Sequence, residues 1–124
     1  MAKRILIVDD SATMLMSVKN NLEISGFAVD TAEDGMKALD KLKGGLKPDL
    51  IITDVNMPKM DGIELIRNIR TLSGFRFTPI LTLTTESQAA KRDEGKKAGA
   101  TGWLVKPVSG SDLLKIIKQV LPGA

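Results

Sequence analysis

The sequence predicts an α/β fold, a doubly wound five-stranded parallel sheet in the order 2-1-3-4-5 with five helices over its faces. Three observations carry that expectation. Short apolar runs alternate with amphipathic stretches along the chain, the pattern of a parallel sheet covered by helices. Four of the five runs are continuously apolar, as strands are when both faces are covered. The length, 124 residues, holds five βα units with right-handed crossovers but is short for a six-strand arrangement, and it fits one domain, 1–124.

The elements follow in order. Arg4–Val8 reads as the first strand. Met14, Val18 and Leu22 form a helical stripe that Gly26 stops. Ala28–Thr31 is a weaker strand, suited to an edge. Met36, Leu39 and Leu42 mark the second helix, ended by Gly44-Gly45, and Asp34 starts it. Leu50–Thr53 is the third strand. Leu65, Ile66, Ile69 and Leu72 give the third helix, started by Asp61 and ended near Gly74. Ile80–Leu83 is the fourth strand. The stretch Gln88–Lys97 is helical in pattern but offers only Ala89 and Ala90 to a core, so its packing is expected to be weak and its surface mobile. Trp103–Val105 is the last strand. Leu113, Ile116, Ile117 and Val120 form the last helix, with Pro122-Gly123 beyond it. This is the flavodoxin-like order, whose switch point lies between strands one and three. Ligands bind there, beyond the carboxyl ends of the strands.

Composition narrows the chemistry. The chain has no Cys, His or Tyr. That excludes disulfides, thiolate and imidazole metal sites, and Ser-His-Asp catalysis. Eighteen Lys and Arg against fifteen Asp and Glu give a net charge of +3, with the basic residues scattered. Aromatics are three Phe and one Trp, too few for a surface that stacks single-stranded nucleic acid. No apolar run approaches a membrane span, and the apolar stretch after Met1 is only four residues before two aspartates, so it reads as a strand rather than a signal peptide. A cytoplasmic protein with no nucleic-acid or membrane partner is expected.

The polar residues collect at one end of this frame. Asp9 and Asp10 follow strand one, Asp54 strand three, Thr84 strand four and Lys106 strand five. Three crowded carboxylates are costly, since two like charges ~4 Å apart repel by about 4 kcal/mol at an effective dielectric near 20. One lysine and one divalent cation would neutralise them. All-oxygen ligands point to a hard ion, and a small site favours Mg²⁺. Such a site suits phosphoryl transfer to a carboxylate, with the metal and Lys106 steadying charge and Thr84 donating its hydroxyl. Spacing alone leaves the nucleophile open. Asp9 and Asp10 sit together as metal ligands on one loop do, and Asp54 stands alone opposite them, so the attack is assigned to Asp54.

Four stretches then resemble the receiver domain of bacterial two-component response regulators: Ile7–Ser11 (IVDDS), Thr53–Gly62 (TDVNMPKMDG), Leu83–Glu86 (LTTE) and Ala98–Pro107 (AGATGWLVKP). They span nearly the whole chain in the family's order. The resemblance implies that Asp54 is phosphorylated and that Asp10 ligates Mg²⁺ directly. It implies that Asp9 holds a metal-bound water and that the Asn56 backbone carbonyl completes the metal ligands. Thr84 and Lys106 would contact the phosphoryl group, and Lys106–Pro107 would be cis. Thr84 and Trp103 would form the switch pair, with an indole where relatives carry Tyr or Phe. Asn56 and Glu86 would set the phosphoryl lifetime. The donor would be a phosphohistidine on a CheA-like sensor histidine kinase. The chain looks most like the CheY-like chemotaxis regulators, which act as monomers passing a signal by binding. A flagellar motor switch protein is the expected target, and a phosphorelay histidine protein the alternative. The face formed by Gln88–Lys97, Trp103 and the last helix is the expected output surface.

Other readings are weaker. Single acidic residues at strand ends are often helix caps, Thr84 alone could be a turn residue, and Trp103 could fill core. Lys91, Arg92, Lys96 and Lys97, interleaved with Asp93 and Glu94, read as a solvated helix face. Gly62 reads as a turn feature, and Met57 and Met60 as packing or loop residues. An aspartate-nucleophile phosphatase would need a second Asp where Asn56 stands. A flavin or nucleotide carrier would need a glycine-rich loop after strand one, which is missing.

Overall fold

A computed structural model describes residues 2–121; Pro122 and Gly123, read above as lying past the last helix, fall outside the described residues. The elements run β1 (Arg4–Val8), α1 (Ala12–Ile24), β2 (Ala28–Ala32), α2 (Gly35–Lys43), β3 (Leu50–Thr53), α3 (Gly62–Thr71), β4 (Ile80–Thr84), α4 (Ala89–Ala98), β5 (Gly102–Val105) and α5 (Gly110–Val120). The sheet is parallel throughout, in the order β2-β1-β3-β4-β5, as expected. The weak second strand is at an edge.

Alternation along the strands builds two cores. Leu6, Val8, Ile51 and Ile80 face α2 and α3, meeting Leu39, Leu42, Ile63, Ile66 and Ile69. Ile5, Ile7, Leu50, Ile52, Leu81 and Leu83 face α1 and α5, meeting Leu15, Val18, Leu22, Leu113 and Ile117. Each such side chain, fully buried, contributes roughly 1.5–3 kcal/mol. Side-chain caps set four helix starts. Ser11, Asp34, Asp61 and Ser109 accept from the amides of Met14 (3.3 Å), Lys37 (2.8 Å), Glu64 (2.8 Å) and Asp112 (3.1 Å).

Three helix faces differ from the sequence expectation. In α1 the buried stripe is Leu15, Val18 and Leu22, with Met14 only at its margin. In α2, Met36 is half exposed and Ala38 takes the core position beside Leu39 and Leu42. In α4, Ala89 and Ala90 are exposed, and Gly95 and Ala98 are the residues that bury. Gly95 is selected there because the Trp103 ring lies where a Cβ would fall 2.6 Å from it, so only glycine fits.

Candidate functional site: an acidic crevice with one lysine

Backbone pairing continues past the strand ends and fixes the site residues. The Asp9 amide donates to the Ala32 carbonyl (3.2 Å), the Asp54 amide to Val8 (2.9 Å) and the Lys106 amide to Thr84 (2.7 Å). These bonds carry three side chains to the carboxyl end of the sheet, at the switch point between β1 and β3.

There Asp9, Asp10 and Asp54 each bring a carboxylate oxygen within 4.8 Å of the others. Asp9 and Asp54 are buried and Asp10 is exposed, so the group opens to solvent on one side. Lys106 Nζ lies 3.0 Å from Asp9 Oδ2 and 3.8 Å from Asp54 Oδ2, closer to the first. The remaining oxygens are held by backbone: Asp9 Oδ1 accepts from the Ser11 amide (2.9 Å) and Asp54 Oδ1 from the Val55 amide (2.7 Å). A single ammonium leaves two negative charges uncompensated, and the donor set is all oxygen. Those properties fit a hard divalent cation such as Mg²⁺. Asn56 follows on the exposed loop after Asp54. The Lys106–Pro107 bond is cis.

Thr84 and Trp103 are joined through a third residue. Thr84, with no exposed surface, accepts from the Glu86 amide at its hydroxyl (3.2 Å). The Trp103 indole Nε1–H donates to the Glu86 carbonyl (2.9 Å). Glu86 is thus a backbone link between the two, with its carboxylate accepting from the Gln88 amide (3.3 Å) ahead of α4.

Two glycines matter more than the sequence suggested. Gly62 is no mere turn residue: a Cβ there would fall 2.0 Å from the Asp54 carbonyl oxygen, so only glycine lets the start of α3 press against the backbone that bears Asp54. Its amide donates to the Val55 carbonyl (2.8 Å), tying the loop shut. Gly95 similarly receives the indole of Trp103, where a Cβ would lie 2.6 Å from a ring carbon. A glycine in the middle of a helix, opposite the chain's lone tryptophan in the sheet, is the signal that could have revealed this pair.

The response regulator receiver domain profile matches residues 5–118. The chain belongs to that family. This receiver domain superposes on the Vibrio cholerae chemotaxis protein CheY4 with a TM-score of 0.93 at 46% identity, over 98% of this chain and 100% of the other. Among curated relatives, chemotaxis protein CheY1 of Helicobacter pylori is 38% identical over 95% of this chain and 96% of its own length. Response regulator MprA of a Mycobacterium strain is 36% identical over 98% of this chain, which spans about half (51%) of that regulator. The signal receiver domain of a signal transduction histidine kinase from Syntrophus aciditrophicus also superposes closely, with a TM-score of 0.90 at 34% identity over 99% of this receiver domain and 92% of the other chain. Receiver domains are signalling proteins, and this one is CheY-like in sequence and fold. Among the described residues no helix is long and apolar enough to cross a membrane.

Proposed function

We propose that this receiver domain is a phosphorylation-dependent switch in which Asp54 accepts a phosphoryl group from a phosphohistidine. The observation that carries this reading is the joining of Asp54 to Asp9, Asp10 and Lys106 in one crevice open on the Asp10 side. In the step, an Asp54 carboxylate oxygen attacks phosphorus, the P–N bond breaks, and the imidazole leaves with a proton from solvent. Asp9, Asp10, Asp54 and the Asn56 carbonyl would hold Mg²⁺, which supplies positive charge against the phosphoryl oxygens when bound. Lys106, which reaches both Asp9 and Asp54, would turn from neutralising carboxylates to neutralising the new phosphoryl charge. The Thr84 hydroxyl would exchange the Glu86 amide for a phosphoryl oxygen as partner. That exchange frees the loop that holds Trp103, and so couples the crevice to the face of α4, β5 and α5. Asn56 and Glu86, on the two loops flanking the crevice, would govern water access and hence lifetime.

Signal output by protein binding in a chemotaxis-type pathway is supported by the near full-length match to proteins named for chemotaxis. A CheA-like kinase as donor and a flagellar motor switch protein as target follow from that reading. A second reading, a phosphorelay intermediate, draws on the close match to the receiver domain of a histidine kinase. Labelling with a small phosphodonor tests the core of the proposal. Wild-type protein should gain acid-labile phosphate only with Mg²⁺, and Asp54→Asn should gain none. Full labelling of Asp54→Asn would sink the assignment. Capture of a motor protein, or of a histidine phosphotransfer protein, by the activated form separates the two pathway readings.

A further inference from the structure

Two loops, residues 44–49 and 72–79, lead into the amino ends of β3 and β4, at the end of the sheet opposite the crevice. Between them lies a cleft of about 430 Å³, with Pro48 and Asp49 on one side and Arg76 and Phe77 on the other. Gly74 turns the second loop with φ +91°, and a Cβ there would lie 3.8 Å from Lys47 Nζ. The ammonium of the first loop thus stands beside the second.

Phe77 is 87% exposed. Of the four aromatic residues, Phe27 and Phe75 are buried and Trp103 is partly covered, so Phe77 alone stands in solvent. Its loop is nevertheless firmly held. Phe75 anchors it in the core. Arg70, in the last turn of α3, donates from Nη1 to the carbonyls of Phe75 (2.8 Å) and Thr78 (2.6 Å), and more weakly to Arg76 (3.4 Å). Its Nε (3.1 Å) and Nη2 (2.7 Å) both donate to the Gly99 carbonyl, which ties the loop to the turn after α4. The backbone on both sides of Arg76 and Phe77 is therefore fixed, and a partner landing there orders little chain. The Arg76 guanidinium lies 5.6 Å from the Phe77 ring centroid, so cation and ring form one surface. Aromatic and arginine side chains of this kind are enriched at protein interfaces.

Charge narrows the partner. Lys47, Arg76 and Lys43 at the end of α2 join no ion pair among the described residues. The carboxylate at the cleft is Asp49, whose Oδ2 accepts from the Arg4 amide (2.8 Å). We propose that this cleft docks an acidic peptide segment of a partner protein. An apolar side chain of the segment packs between Phe77 and Pro48, and its carboxylates meet Lys47 and Arg76. The concave shape and the volume suit a few inserted side chains rather than a flat lipid surface. The site lies away from the crevice and stands whether or not Asp54 is phosphorylated.

Two-dimensional amide NMR of the full, unmodified chain tests it with three capped peptides, EDLFED, EDSSED and KRLFKR. EDLFED should give saturable shifts at Lys47, Asp49, Gly74, Phe77 and Thr78, with a Kd of about 1 mM or tighter. Raising salt from roughly 0.05 M to roughly 0.5 M should weaken it about threefold or more as charges are screened. EDSSED, without the apolar anchor, and KRLFKR, with the charge reversed, should each bind roughly tenfold more weakly or worse. Phe77→Ser should weaken EDLFED roughly tenfold or more, the worth of one buried aromatic side chain. Lys47→Gln with Arg76→Gln should weaken it about threefold and flatten the salt dependence. All three side chains are exposed, so the variants should keep the wild-type amide shifts of Ile5 and Ile51. Absence of saturable shifts, shifts centred on Asp54 or Lys106, equal binding of KRLFKR, or unchanged affinity in Phe77→Ser would each overturn the site. Binding to phosphatidylglycerol vesicles without binding of EDLFED would assign the surface to lipid and overturn it too.

Discussion

Replacing Gly62 by alanine should disable the crevice without touching any of its charged groups. The added Cβ would lie 2.0 Å from the Asp54 carbonyl oxygen and 2.9 Å from both the Asp54 carbonyl carbon and Val55 Cα, whereas ordinary contact begins at 3.4 Å. All three neighbours are backbone, so none can swing aside. The start of α3 and the Asp54–Val55 peptide must part by more than about 1 Å. A displacement of that size at a reacting group costs on the order of 100-fold in rate. Overpacking of this kind costs about 1–3 kcal/mol in stability, partly offset by the better helix propensity of alanine. With ~5–15 kcal/mol of total stability expected, the variant should still fold. The assay pairs a urea melt with the rate of phosphorylation by acetyl phosphate at saturating Mg²⁺. Phosphorylation within about threefold of wild type would refute the claim that Gly62 sets the position of Asp54.

Further outcomes follow from other contacts. Lys106→Met should cost about 3 kcal/mol in metal-free buffer, because it strands the buried Asp9 carboxylate now 3.0 Å from the ammonium. Mg²⁺ at a hundred times its Kd should restore about 2.7 kcal/mol of that, and melts that ignore Mg²⁺ would count against the shared charge site. Gly95→Ala should shift Trp103 emission as the indole leaves its seat, and should yield less than the ~1 kcal/mol that alanine normally adds to a helix; unchanged emission with the full gain would contradict the packing. Asp61→Ala should lower stability by ~1 kcal/mol through loss of the 2.8 Å cap on the Glu64 amide, read in chemical denaturation, and a neutral result would show that the cap carries nothing.

The strands and the crevice were legible because burial writes them directly into the residues. A strand covered on both faces must be apolar throughout, as Leu50–Thr53 and Ile80–Thr84 nearly are. Polar residues placed just after such runs have to emerge at the same end of a parallel sheet, which is how Asp9, Asp54 and Lys106 could be brought together on paper. Helix phase was harder. Apolarity pointed α4 inward at Ala89 and Ala90, but the helix buries Gly95 and Ala98 instead, Gly95 because the Trp103 ring approaches too closely for a Cβ. Met36 lost its place to Ala38 although it is the more apolar side chain. Contacts between remote backbone segments left no local trace at all. Nothing near Gly62 announces the Asp54 carbonyl, and nothing near Arg70 announces the carbonyl of Gly99, 29 residues away.

Lys106 gives the crevice a counterion that is part of the polypeptide and so can never diffuse away. A protein whose acidic pocket depended wholly on dissolved metal would assemble only where that metal is plentiful, and would unravel whenever it was withdrawn. Here the tethered ammonium answers the most enclosed carboxylate from the moment the chain closes up. Assembly of the crevice is thereby less dependent on ion supply: part of its charge is answered from within the chain.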